Sequence, residues 1–263
     1  MTLKHCITAT TALTLIASAS ANNLAQQAVQ KITKNRVTIV KQFKSIANLT
    51  GFVIAPKGSV RKTVVYADNQ GRYMVAGALV SPAGQNITQA DYKKYVEDKQ
   101  APKIYAAAAK THWVQQGSNK APHSIYVVVE PNCIACHMLY QTVKPLIKSG
   151  QLSVRWIFVA FRKPSSEGMV AAILQAKDPG KALDENEKNF NEKTETGGIA
   201  PLKPIPAKLK TAIAANMTFM EKNGFMATPG VVYKTKSGEA RVMHGFLPGK
   251  AFIKIIDNAS NGQ

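Results

Sequence analysis

Acidic side chains are scarce in this sequence. Asp and Glu number 15 against 34 Lys and Arg, and the formal net charge of the 263 residues is +19. Yet the lysines are spread along the chain, with no Arg-rich block and no aromatic ladder beside one. Those are the features that mark a nucleic-acid binder, so that class is set aside. The charge instead reads as a solvated surface, an attraction to anionic membrane surfaces, or a preference for acidic client proteins. Cysteine is also scarce, with three in all, too few for a disulfide framework. Internal repeats are absent. Beyond the first residues, no stretch approaches the ~20 apolar residues of a membrane span. What is abundant is core-forming material: 45% of the residues are hydrophobic, which rules out a chain disordered throughout.

The first residues read as an export signal. Lys4 and His5 make a short basic start, Ile7 to Ala19 is apolar or small, and Ala19-Ser20-Ala21 supplies the small residues of a cleavage site after Ala21. Cys6 precedes the apolar run, which does not suit a lipid anchor. Cleavage leaves Cys133 and Cys136 as the only cysteines. A bond across two intervening residues restrains almost no chain, so a structural staple explains the pair poorly. An exported protein also meets little nucleic acid.

Two regions follow. In residues 22–84, Ala25 to Lys34 has the pattern of a short amphipathic helix. Strand-like runs follow at Val37–Phe43, Gly51–Ile54, Thr63–Ala67 and Tyr73–Leu79, with a hairpin turn at Asp68–Gly71. Residues 85–120 read as a helical connector, rich in Ala, Lys, Gln and Tyr, ended by Gly117 to Lys120. Residues 121–263 start with Ser124–Glu130, nearly all β-branched or aromatic, as a buried strand. Pro131 and Asn132 stop it, Asn132 is the expected N-cap, and Cys133 to Lys148 is the expected helix. A strand at Leu152–Phe161 comes next. A largely helical stretch from Lys163 to Phe225 follows, loosened at Thr194–Pro206. A hairpin around Ser237-Gly238 and a closing helix over Pro248–Asn258 complete the region. Strand, helix, strand, helical insert, hairpin, helix is the order of a thioredoxin-like α/β domain.

The chemistry sits at Cys133-Ile-Ala-Cys136. A thiolate is the nucleophile in disulfide exchange. A helix N-terminus stabilises one through its unpaired N–H groups and partial positive charge. Cys136, one turn on, is close enough to close a disulfide or resolve a mixed one. Thr228-Pro229 precedes a later strand, as the cis-proline loop of thioredoxin folds does. Cys133 to His137 also matches a haem-attachment pattern, but a buried strand running into the motif and a Thr-Pro loop fit redox exchange better. Zinc would need two further ligands. His137 and His244 are the candidates, and both read as surface histidines. No metal or cofactor is expected. Glu130 reads as an exposed strand-end charge that could assist proton transfer. The place six residues before Cys133, where thioredoxin-like proteins often carry a buried acid, holds Val127.

The segment from Ser124 to His137, Thr228-Pro229, Ala171–Lys181 in the insert, and His112-Trp113 together resemble the periplasmic DsbC/DsbG-type disulfide isomerases, DsbG most closely. The resemblance is strong from about Tyr105 onward and weaker before it. It implies an α+β chain: a thioredoxin-like catalytic domain with a helical insert, preceded by a cystatin-like dimerisation domain and a helical linker. It further implies a V-shaped homodimer in the periplasm, kept reduced by a membrane electron donor of the DsbD type. Its clients would be misoxidised or sulfenylated exported proteins. Cys133 would be nucleophile, Cys136 resolver, and Thr228 with Pro229 the client-facing loop. Ile134-Ala135 departs from the more polar or aromatic dipeptides of the family. Only the helix terminus and backbone N–H groups would then stabilise the thiolate, so a moderately depressed Cys133 pKa and a reducing pair are expected. A DsbA-type oxidase and a redox-linked chaperone remain alternatives.

Overall fold

The computed structural model describes residues 23–46 and 48–261. The expected export signal, with Cys6 inside it, lies outside these residues. The chain divides into two compact units, Met1–Val96 and Glu97–Gln263.

In the first unit a helix, α1 (residues 23–32), is followed by a four-stranded antiparallel meander. Its strands are β1 (Val37–Lys44), β2 (Leu49–Pro56), β3 (Thr63–Asp68) and β4 (Met74–Val75). Successive side chains of a strand point to opposite faces, and β2 uses both. Phe52 and Ile54 pack with Ala25, Ala28 and Val29 of α1, while Val53 joins Phe43, Val64, Tyr66 and Val96 on the other face. The expected turn after β3 is tied by Asp68, whose carboxylate accepts from the backbone N–H groups of Arg72 and Tyr73 and pairs with the Arg72 side chain. β4 is shorter than the run Tyr73–Leu79 suggested. The backbone has left the ladder by Leu79, whose N–H donates to the Thr88 hydroxyl.

The polypeptide then runs through α2 (Ile87–Tyr92), one π-helical turn (Lys93–Glu97) and α3 (Asp98–Ala108). Helix was expected as far as Gln116, but it stops at Ala108. Trp113–Gln116 is instead an edge strand, β5, paired antiparallel with a later strand through Trp113↔Ile157 to Gln116↔Val154. Ladder pairing outweighs the weak local helical preference here. Gln116 also carries a tie no local pattern encodes: its amide accepts from the Trp156 indole and donates to Gly180 O and Asp184.

The second unit is built on a five-stranded sheet of order β5-β7-β6-β8-β9. Here β6 is His123–Val129, β7 Leu152–Phe158, β8 Gly230–Lys234 and β9 Ala240–His244. β6 and β7 are parallel, and β8 runs antiparallel to β6. The helices are α4 (Ile134–Lys148), α5 (Ser166–Gln175), α6 (Pro179–Lys188), α7 (Ala207–Lys222) and α8 (Lys250–Asn258). β6 is apolar on both faces because both are covered. Ile125, Val127 and Val129 enter one core with Leu139 and Val143 of α4 and Phe252 and Ile256 of α8. Tyr126 and Val128 enter the other with Ile104 and Ala108 of α3 and Phe219 of α7. Each such side chain contributes roughly 1.5–3 kcal/mol by leaving water. The central strand is thereby clamped, and so is the place where it ends.

Gly117 closes β5 at φ 88°, and a Cβ there would lie 2.3 Å from the Leu152 carbonyl oxygen. Gly117→Ala is expected to destabilise the fold by more than about 1 kcal/mol, read as a lower urea midpoint with an unchanged slope.

Candidate active site

β6 ends at Val129, and five residues later the chain is inside α4. Cys133, not Asn132, is the N-cap. Its sulfur accepts from the Cys136 N–H at 3.3 Å, and its thiol donates to the Thr228 carbonyl at 3.4 Å. Asn132 is drawn away from the expected capping role by the helical insert. Its side-chain amide donates to Ser166 Oγ, and its side-chain oxygen accepts from Gly197 N. Asn186 holds the same loop by donating to the Pro131 carbonyl. These partners lie 34 to 65 residues from the loop in sequence. The helical content of the insert was readable, but its contacts with the loop were not.

The expected site residues converge. Cys133 and Cys136 are free thiols, both almost fully buried, and the Thr228–Pro229 peptide beside them is cis, as expected. The Cys133 pKa is lowered to about 6. The largest cause is the hydrogen bond from the Cys136 thiol. Burial opposes it, and the Thr228 side chain, the Cys136 N–H and the Arg162 charge add to it. The moderate depression agrees with the expectation, but the Cys136 thiol and Arg162 were missed as sources. The Cys136 thiol is pushed far up, first by burial and then by its neighbour Cys133. One thiol is ready to ionise and the other holds its proton.

Two residues depart from the expected exposure. Glu130 is buried rather than an exposed strand-end charge. Its Oε2 accepts from Asn132 N at 2.7 Å, and Oε1 has no partner within bonding distance among the described residues. Burial raises its pKa, while Ser166, the Asn132 N–H and Arg162 draw it partway back. Glu130 and Cys136 line the same small cavity, of about 10 Å³, which is close to the space one water needs. His137 is likewise buried, not on the surface. Nδ1 lies 2.7 Å from Glu187, and the ring stacks on Phe190 at 4.5 Å. His244 packs against Phe225. Among the described residues no three His, Cys, Asp or Glu side chains group as metal ligands.

A thiol poised to ionise at a helix start, a second buried thiol one turn on, and a cis-proline loop accepting from the first form an arrangement suited to disulfide exchange. The Thioredoxin-like domain model matches residues 111–260. The chain belongs to the thioredoxin-like domain family. The expected likeness to DsbG also holds. This thioredoxin-like protein is 26% identical to the thiol:disulfide interchange protein DsbG of Pseudomonas aeruginosa over 82% of each chain. It is 26% identical to DsbG of Escherichia coli K12 over 87% of this chain and 89% of that one. Among solved structures, BcfH of Salmonella enterica Typhimurium has a similar fold, with a TM-score of 0.50 at 16% identity over 65% of this chain and 84% of that one. The chain is a thiol–disulfide oxidoreductase, similar to DsbG.

A thiol with a depressed folded pKa stabilises the reduced protein fully above its ordinary value of about 8.5 and loses that contribution as pH falls through about 6. The melting temperature of the reduced form should therefore climb between these limits relative to a Cys133→Ser control. The alkylation rate of Cys133 should be half-maximal near pH 6, and Cys136→Ala, which removes the largest stabilising contact, should move that midpoint upward.

Proposed function

We propose that this chain is a periplasmic disulfide isomerase or reductase acting on misoxidised or sulfenylated cysteines of exported proteins. Cys133 is the nucleophile, Cys136 the resolver, and Thr228 with Pro229 the surface that meets the client. The observation that carries the reading is the opposed ionisation of two adjacent thiols at the start of α4. Export by a signal at residues 1–21, a homodimer formed through the N-terminal region, and a membrane donor of the DsbD type complete it.

The Cys133 thiolate attacks one sulfur of a client disulfide. That S–S bond breaks, the second client sulfur leaves as a thiolate, and a mixed disulfide remains. If a client thiol then attacks the client sulfur of the mixed disulfide, Cys133 departs as thiolate and the client is reshuffled with no net change in oxidation. If Cys136 attacks Cys133 instead, the client leaves with two electrons and the Cys133–Cys136 pair is oxidised. The donor must then return two electrons. With a sulfenic acid, attack of Cys133 expels hydroxide, which takes up a proton and leaves as water, and the same mixed disulfide follows.

The second route requires the Cys136 thiol to lose a proton in a buried place. Glu130 takes it in this reading, through a water in the cavity both residues line. A carboxyl with a raised pKa suits the task better than an ordinary one. Glu130→Gln should slow resolution of a mixed disulfide by about 100-fold while Cys133 alkylation stays fast. The acidic limb should vanish from the pH profile of resolution and return in Glu130→Asp. Equal rates at all pH would remove Glu130 from the mechanism.

An oxidase of the DsbA type is the competing direction. Free thiols in the intact envelope can be trapped with a bulky maleimide and read by mobility. A mostly reduced Cys133–Cys136 pair is expected, and a mostly oxidised pair would overturn the isomerase or reductase assignment in favour of the oxidase.

A further inference from the structure

The distribution of charge along this chain has no part in thiol exchange. Between residues 23 and 67 there are eight Lys and Arg and no Asp or Glu. The fold gathers six of the eight at one end of the first unit's sheet. Lys31 lies in the last turn of α1, and Lys34 and Arg36 lie in the turn that leads into β1. Val37 opens β1 opposite Pro56, where β2 ends, and Thr63 opens β3 opposite Ile54. The connection between β2 and β3, which carries Lys57, Arg61 and Lys62, therefore lies at the same end. A backbone bond from Lys57 N to Arg36 O at 2.9 Å joins the two turns directly. Lys31, Lys34, Arg36, Lys57 and Arg61 are exposed and Lys62 is half-buried. None of the six forms an ion pair among the described residues. Two apolar side chains stand exposed among them, Ile32 at 49% and Val60 at 53%.

The opposite end of the sheet is different. There Asp68 neutralises Arg72 and ties the turn. At that end Lys44 is the one cation of the eight, against six at the other, and the imbalance gives the unit a direction in an electric field.

We infer that this end, Lys31, Lys34, Arg36, Lys57, Arg61 and Lys62 around Ile32 and Val60, docks the protein on anionic phospholipid bilayers. The composition favours lipid over a folded protein partner. Four of the six are lysines, compact point charges that need no fixed counter-geometry, whereas recognition of set carboxylates favours the planar fork of arginine. A fluid leaflet can bring phosphates to each cation wherever it lies, and the two apolar groups can enter the interface between headgroups. Cations close to an anionic leaflet each raise the partition coefficient about fivefold. With no helix among the described residues long and apolar enough to cross a membrane, attachment of this kind is peripheral and reversible. It is independent of the thiol chemistry proposed above, so either can fail without the other.

The test is co-sedimentation of the exported protein with phosphatidylcholine vesicles with and without phosphatidylglycerol. Binding is expected only with phosphatidylglycerol, and it should be lost as the screening length falls well below ~10 Å. The combined substitution Lys57→Gln, Arg61→Gln, Lys62→Gln should weaken it about 100-fold with an unchanged melting temperature. An equal loss of positive charge from the second unit, Lys203→Gln, Lys208→Gln, Lys210→Gln, should weaken it far less. Failure of the wild-type protein to bind, equal binding to pure phosphatidylcholine, or equal loss in the two triple variants would each overturn the inference. The wild-type arms decide it even if a variant does not fold.

Discussion

The first turn of α4 is capped by sulfur rather than by oxygen. A helix start leaves N–H groups without partners, and an Asn, Ser or Asp side chain usually takes one of them. Here the Cys136 N–H is given to Cys133 Sγ, a weaker acceptor as a thiol and a much better one as a thiolate. The helix is therefore completed most fully when Cys133 is ionised, and folding and reactivity draw on the same interaction. The two cores on either face of β6 matter to function because they hold the end of that strand, and with it the start of α4, in place. Asn132, the stronger capping side chain one position earlier, is occupied by Ser166 and Gly197 and does not compete.

Much of this was legible in the residues. The run Ser124–Val129, nearly all β-branched or aromatic, gave the central strand because burial on both faces leaves no room for alternation. The motif at its end gave the helix start, and Thr228-Pro229 gave the loop that faces it. What was not legible came from contacts across long separations. Trp113–Gln116 has no strong local preference and becomes a strand because β7 offers it an open edge. Asn132 looks like a cap until an insert residue claims it. Glu130 looks like a surface charge because only the packed fold shows that the strand end carrying it is buried, and His137 looks free until Glu187 and Phe190 of the insert close on it. In each case the deciding partner lies dozens of residues away, beyond the range of any local pattern.

The helical insert is accordingly more than a spacer between β7 and β8. It supplies the ties of the motif loop, through Ser166, Asn186 and Gly197, and Arg162 just ahead of it contributes charge to the Cys133 sulfur. Arg162 favours the thiolate of Cys133, while burial and the neighbouring Cys133 hold the proton on Cys136. Two thiols with only two residues between them are thus set apart by a charge from the loop that follows the next strand and by depth in the core.

The bond from Cys133 to the Thr228 carbonyl spans 95 residues. A chain that emerges amino end first presents its two cysteines long before Thr228 follows, and also before the insert that holds Asn132. For that interval they are an ordinary flexible dithiol, with none of the asymmetry that separates them later. The enzyme is at that stage chemically a client, subject to whatever oxidants and reductants its surroundings hold, and it acquires its own reactivity only when its last third has arrived.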